Sequence, residues 1–105
     1  MAYQLTISHD ADMQLRSLPV HDQRIVENGI LARLQHQPIA VTKAVKRLRL
    51  NPFAEFELRL GDFRVLYNVD AAKQEVVILA VGQKVGNKLV IGGEEFHGHE
   101  SNPTP

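Results

Sequence analysis

The sequence predicts an α+β domain in the order β-α-α-β-β-β, with a helical hairpin packed on one face of a mainly antiparallel four-stranded sheet. Three observations carry this prediction. Apolar side chains recur at helical spacing between about residues 9 and 37, and they alternate at period two from Glu55 to Val69. The run Val76-Val77-Ile78-Leu79-Ala80-Val81 is apolar without interruption, as in a strand covered on both faces or lying centrally.

Each element has its own local reason. Tyr3, Leu5 and Ile7 alternate with Gln4, Thr6 and Ser8, the pattern of a half-buried first strand. Ser8 stands where a helix N-cap belongs, and Asp10 and Asp12 favour the positive end of the helix dipole. A helix over roughly 9–18 then carries Ala11, Leu15 and Leu18 on one face until Pro19 breaks it. The second helix opens at the Pro19 turn or Asp22 and runs to about Gln37, with Val26, Ile30, Leu31 and Leu34 at helical spacing and Pro38 as its stop. Gly29 inside it costs about 1 kcal/mol relative to Ala, so it marks either a close-packing position or a local weakness.

In the second half Phe56, Leu58 and Leu60 alternate with Glu55, Glu57 and Arg59. Gly61-Asp62 supplies a two-residue turn with Gly first, suited to type II′. Phe63, Val65, Tyr67 and Val69 then alternate with Arg64, Leu66, Asn68 and Asp70. If the aromatic and aliphatic set faces the helices, Glu55, Glu57, Arg59 and Arg64 share the opposite, open face. Such a face is either a solvated surface laced by cross-strand ion pairs or a binding surface.

Composition narrows the function classes. The chain has 105 residues, 44% of them apolar, with no Cys and no Trp. That is enough for one core, expected over residues 1–93, and it excludes disulfides and thiolate metal sites. Residues 94–105 hold Glu94, Glu95 and Glu100, no Lys or Arg, and two prolines, and are expected to form a loosely ordered acidic tail. No segment approaches a membrane span, and the first residues lack the basic and apolar parts of an export signal, so a cytoplasmic location without membrane partners is expected.

Twelve basic and twelve acidic side chains cancel, which at face value argues against a nucleic-acid binder. The cancellation hides segregation. Residues 1–42 sum to −1, 43–64 to +3, 65–93 to +1 and 94–105 to −3. The body is therefore basic. Lys43, Lys46, Arg47 and Arg49 cluster before the meander, as either a solvated connection or a phosphate-binding stretch, while Leu48 and Leu50 between them read as core plugs.

The run Leu58-Arg59-Leu60-Gly61-Asp62-Phe63-Arg64-Val65-Leu66-Tyr67, followed by Val76-Val77-Ile78-Leu79-Ala80-Val81-Gly82-Gln83-Lys84, resembles the C-terminal half of RelE/ParE-superfamily toxins of type II bacterial toxin–antitoxin modules. The resemblance spans about residues 2–90. In RelE-like members it implies a ribosome-dependent endoribonuclease that cleaves mRNA by attack of a 2′-hydroxyl on the adjacent phosphate, with no metal and no cofactor. Such chemistry needs in-line positioning, a base, cations on the phosphate oxygens and an acid for the leaving oxygen.

Arg64 then matches the strand arginine that stabilises the phosphate, Lys84 falls where such enzymes carry a second catalytic arginine, and Arg59 in the same motif is a plausible helper. Glu55 and Glu57 stand where RelE has lysines, with Glu57 a candidate catalytic carboxylate, and about Val90 stands where RelE has a tyrosine. His97 and His99 are candidate stand-ins for the acid. Lys43, Lys46, Arg47 and Arg49 would bind ribosomal RNA. The implied partners are a cognate antitoxin, in a hetero-oligomer, with the ribosome and mRNA. The alternatives are a ParE-like poison of DNA gyrase without nuclease activity, or a degenerate member that still binds its antitoxin.

Overall fold

The computed structural model describes residues 2–48 and 53–95. The chain runs β1 (Gln4–Ile7), α1 (His9–Arg16), α2 (Val20–Leu34), β2 (Val45–Arg47), β3 (Phe56–Leu60), β4 (Phe63–Asp70), β5 (Glu75–Val85), β6 (Lys88–Ile91) and β7 (Glu94–Glu95). The predicted order and α+β class hold, but among the described residues the sheet has seven strands instead of four. The added strands, β2, β6 and β7, are two to four residues long, too short for a period to show in sequence. Glu94 and Glu95, read above as tail, pair with Ile91 and Val90 in the sheet.

The strand order is β2-β3-β4-β5-β6-β7, all antiparallel, with β1 parallel to β5. The eleven residues of β5 serve two partners along one edge: Glu75 to Ile78 pair with β1, and Gly82 to Val85 pair with β6. Gly61 has φ 61°, the positive value a type II′ turn requires at its first central residue.

Both helices start and end for visible reasons. The Ser8 hydroxyl accepts from the Ala11 N–H at 3.1 Å, and Asp12 pairs with Arg16 one turn on. α1 stops at Arg16, two residues short of the expected end, while Leu18 beyond it still packs on the core. α2 begins directly after Pro19 and ends at Leu34; the Gln35 carbonyl beyond it accepts from Tyr3 N–H at 2.7 Å. Gly29 is a close-packing position, since a Cβ there would lie 2.5 Å from both methyl carbons of Leu60. Leu31, expected on the buried face, is instead 51% exposed.

Two apolar clusters sandwich the sheet. Under the helices, Ala11, Leu15, Val26, Ile30 and Leu34 meet Val45, Phe56, Leu58, Phe63, Val65, Tyr67, Val76, Ile78 and Val81. The opposite face was expected to be open. Instead Leu66, Ala80 and Leu89 are buried there with Leu48 and Ala54, and Leu79 and Ile91 pack against them. Leu48 is thus the core plug expected of it, with Ala54 ahead of β3 beside it, whereas Leu50 lies outside the described residues.

Candidate functional site

Strand parity builds the site on the face away from the helices. Phe56, Leu58 and Leu60 turn to the helical side, so Glu57 and Arg59 turn the other way. Phe63, Val65 and Tyr67 do the same for Arg64 and Leu66. The register then sets Arg59 directly opposite Arg64, Arg64 opposite Gly82, and Gly82 opposite Ile91. Lys46, Glu57, Leu66 and Ala80 form the neighbouring row.

Lys84 reaches this face through an irregularity. Leu66 pairs with Ala80 but Tyr67 pairs with Ile78, so β5 carries one residue more than β4 at this point. Strict alternation from Val76 would place Gly82 and Lys84 under the helices; the bulge returns Val81 to that side and puts Ala80, Gly82 and Lys84 beside Arg64. Two side chains fix the bulge. Ser8 Oγ donates to the Leu79 carbonyl at 3.3 Å, and the Gln14 Oε1 accepts from the Val81 N–H at 2.8 Å. A further bond from Lys84 N–H to the Asp62 carbonyl, 2.7 Å, ties β5 to the β3–β4 turn. Gly82 is required at the centre, because a Cβ would come within 2.6 Å of the Val90 carbonyl oxygen and of the Ile91 side chain.

Like charges directly opposite each other repel, yet two guanidiniums face each other here. Each is held by an acceptor. Arg59 Nε donates to Glu57 Oε1 at 3.2 Å. Arg64 Nη1 donates to the Gly61 and Phe63 carbonyls at 2.7 and 2.9 Å. Glu57 is fully buried and Arg64 only 9% exposed, so neither lies on an open solvated surface as expected. Burial of both follows from the second apolar cluster beside them, which alternation within β3 and β4 could not reveal.

The remaining candidates separate. Arg59, Arg64, Lys84 and Glu57 share one face, and Lys46 joins them opposite Glu57. Arg47, predicted in the same basic stretch, turns to the helical side and lies over the Phe56 ring at 5.5 Å. Lys43 is exposed in the turn before β2. Arg49, His97 and His99 lie outside the described residues. Glu55 precedes β3, exposed, and its carboxylate accepts from the Val69 N–H at 3.0 Å. Val90 sits opposite Gln83, on the other face from the cations. The sequence reading missed Lys46 as a neighbour of Glu57; the signal was the buried Leu48 two residues on, which fixes the parity of β2.

Among the described residues no group of three His, Cys, Asp or Glu is placed to hold a metal ion, and no helix is long and apolar enough to cross a membrane. The face carries Lys46, Arg59, Arg64 and Lys84, with Glu57 among them and Glu94 at the far end of the row that runs from Arg59 through Arg64, Gly82 and Ile91.

No family model matches the chain, and no curated protein matches it. Solved structures do. The toxin–antitoxin complex RelBE2 of Mycobacterium tuberculosis matches at 27% identity and TM-score 0.70, over 80% of this chain and 100% of that one. The archaeal RelE–RelB complex of Pyrococcus horikoshii matches at 28% identity and TM-score 0.60, over 79% of this chain and 96% of that one. The isolated RelE toxin of E. coli, 22% identical with TM-score 0.60 over 80% of this chain and 86% of that one, shares the fold. Two helices over one face of a mainly antiparallel sheet therefore place the chain in the α+β class to which these toxins belong. It has a RelE-like toxin fold.

Proposed function

We propose that the chain is the toxin of a type II toxin–antitoxin module and that it cleaves mRNA at the ribosome by metal-independent attack of a 2′-hydroxyl on the adjacent phosphate. The supporting observation is the juxtaposition of Arg59, Arg64 and Lys84 on one sheet face. Cations held in place before the substrate arrives stabilise charge on the phosphate oxygens without reorganising during the reaction. The RelE–RelB and RelBE2 complexes support an antitoxin partner in a hetero-oligomer. In this reading the antitoxin covers the cationic face by charge complementarity.

The test adds purified protein to a translation extract and maps mRNA 5′ ends, with Arg64→Ala alongside. Cuts positioned by codon, and reduced in the variant, are expected. A second reading, a gyrase poison without nuclease activity, is favoured by the burial of Glu57 and Arg64. Absence of cuts together with inhibited supercoiling by gyrase selects it.

A further inference from the structure

The two guanidiniums that face each other across the β3–β4 ladder are not equivalent. Arg64 is nearly buried and spends Nη1 on two carbonyls of its own hairpin, so it acts as a clamp on the Gly61-Asp62 turn. Arg59 keeps 39% of its side chain exposed and engages Glu57 through Nε. Its two terminal nitrogens make no hydrogen bond among the described residues. A guanidinium held at Nε still offers its end-on pair of N–H groups, the fork that matches two oxygens of a phosphate.

Glu57 does not have the access a base needs. A general base must come within hydrogen-bond reach of the hydroxyl it deprotonates, and this carboxylate has no exposed surface. It lies opposite Lys46 in the ladder and two residues from Arg59 along the same face. A buried carboxylate needs compensating charge, and Arg59 supplies part of it. The same pairing removes freedom from a long side chain and lets two like charges sit side by side before any anion arrives.

We propose that Arg59 is the guanidinium that takes the phosphate oxygens, and that Glu57 is the positioning residue that holds it there. This assignment rests on the reading of the face as a phosphodiester site. It departs from the expectation that Arg64 makes the main phosphate contact, and from Glu57 as the proton acceptor.

The test has a binding arm and a cleavage arm. Inorganic phosphate is titrated into the purified full chain with labelled arginine, following the Nε–Hε signals, and melting temperature is recorded for every variant. Arg59→Ala is expected to weaken phosphate binding roughly ten-fold, and Arg59→Lys, which keeps charge but loses the fork, to recover only part of it. Arg64→Ala is expected to lower the melting temperature while changing phosphate affinity less than Arg59→Ala does. Glu57→Gln removes a negative charge beside the fork and should tighten phosphate binding about three-fold. In the extract, Glu57→Gln should lower the cleavage rate and leave the acidic limb of the pH profile in place.

The proposal is overturned if phosphate fails to bind, if binding ignores Arg59, or if it depends on Arg64 more than on Arg59. Loss of the acidic limb in Glu57→Gln overturns the positioning role. Phosphate bound through Arg59 by a protein that makes no cuts would support this assignment while removing the nuclease reading.

Discussion

Tyr67 shows at the scale of one residue how the core and the loops are tied together. Its ring stacks on Phe56, with centroids 5.3 Å apart and planes at 18°, and its hydroxyl donates to the Pro38 carbonyl at 2.6 Å. One buried side chain thus fixes the segment that follows α2 onto the sheet. Burial pushes the phenol well above its ordinary value of 10.0, because the charged form is disfavoured without water. A folded-state value above the unfolded one means the contribution is complete below about pH 10 and lost as pH rises further. Tyr67→Phe, which strands the Pro38 carbonyl, is expected to cost about 1–2 kcal/mol at neutral pH by urea unfolding. It should also flatten the fall in urea midpoint above about pH 10. An equally steep fall in the variant would assign the alkaline loss to other groups. At this scale the sequence showed which charged residues share a face better than how they are held. Glu57, Arg59 and Arg64 were legible as a set from period-two alternation, and Lys84 only from the motif, because the bulge in β5 reverses the phase that alternation assigns it. Their burial was not, since it depends on residues that return over the sheet from outside the hairpin.

Among the elements, α1 does more than cover the sheet. Gln14 satisfies the Val81 N–H that the bulge in β5 leaves outside the ladder. Val81 is only 3% exposed, so water cannot easily replace that acceptor. Gln14→Leu keeps the volume and removes the oxygen, and it is expected to destabilise the fold by about 1–3 kcal/mol. Amide exchange at Val81 should accelerate more than exchange at Val65 on the neighbouring strand; equal protection at both positions would show that Gln14 does not hold the bulge. Helix positions were readable from Ser8, Pro19 and Pro38, whose local chemistry is strong. The short strands β2, β6 and β7 were not, because their pairing is decided by tertiary neighbours and by Gly86, Gly92 and Gly93, whose positive φ values shape the connecting turns. Leu31 fits the helical period and is nevertheless exposed, an instance of apolar spacing without a partner layer above it.

For the whole molecule, zero net charge conceals a cationic face, and salt should reveal it. Each phosphate contact on a single strand contributes about 0.7 to the slope of log affinity against log salt. Binding of a labelled single-stranded RNA, followed by anisotropy from about 50 to 200 mM salt, is expected to weaken with a slope that Arg59→Ala reduces by about that amount. An unchanged slope would place the RNA elsewhere on the protein. The α+β architecture was legible at this scale because apolar runs of contrasting period divide the chain into halves.

The run from Val76 to Val81 read as evenly apolar because it joins two half-strands of opposite phase. The first half is written for the helical side, and the second restarts the count after Leu79 so that charge emerges on the far side. The position of Lys84 is therefore arithmetic as much as chemistry. One extra codon between Val81 and Gly82 would leave every residue of the motif intact and turn Lys84 toward the helices. In this chain the spacing decides which face a charge reaches.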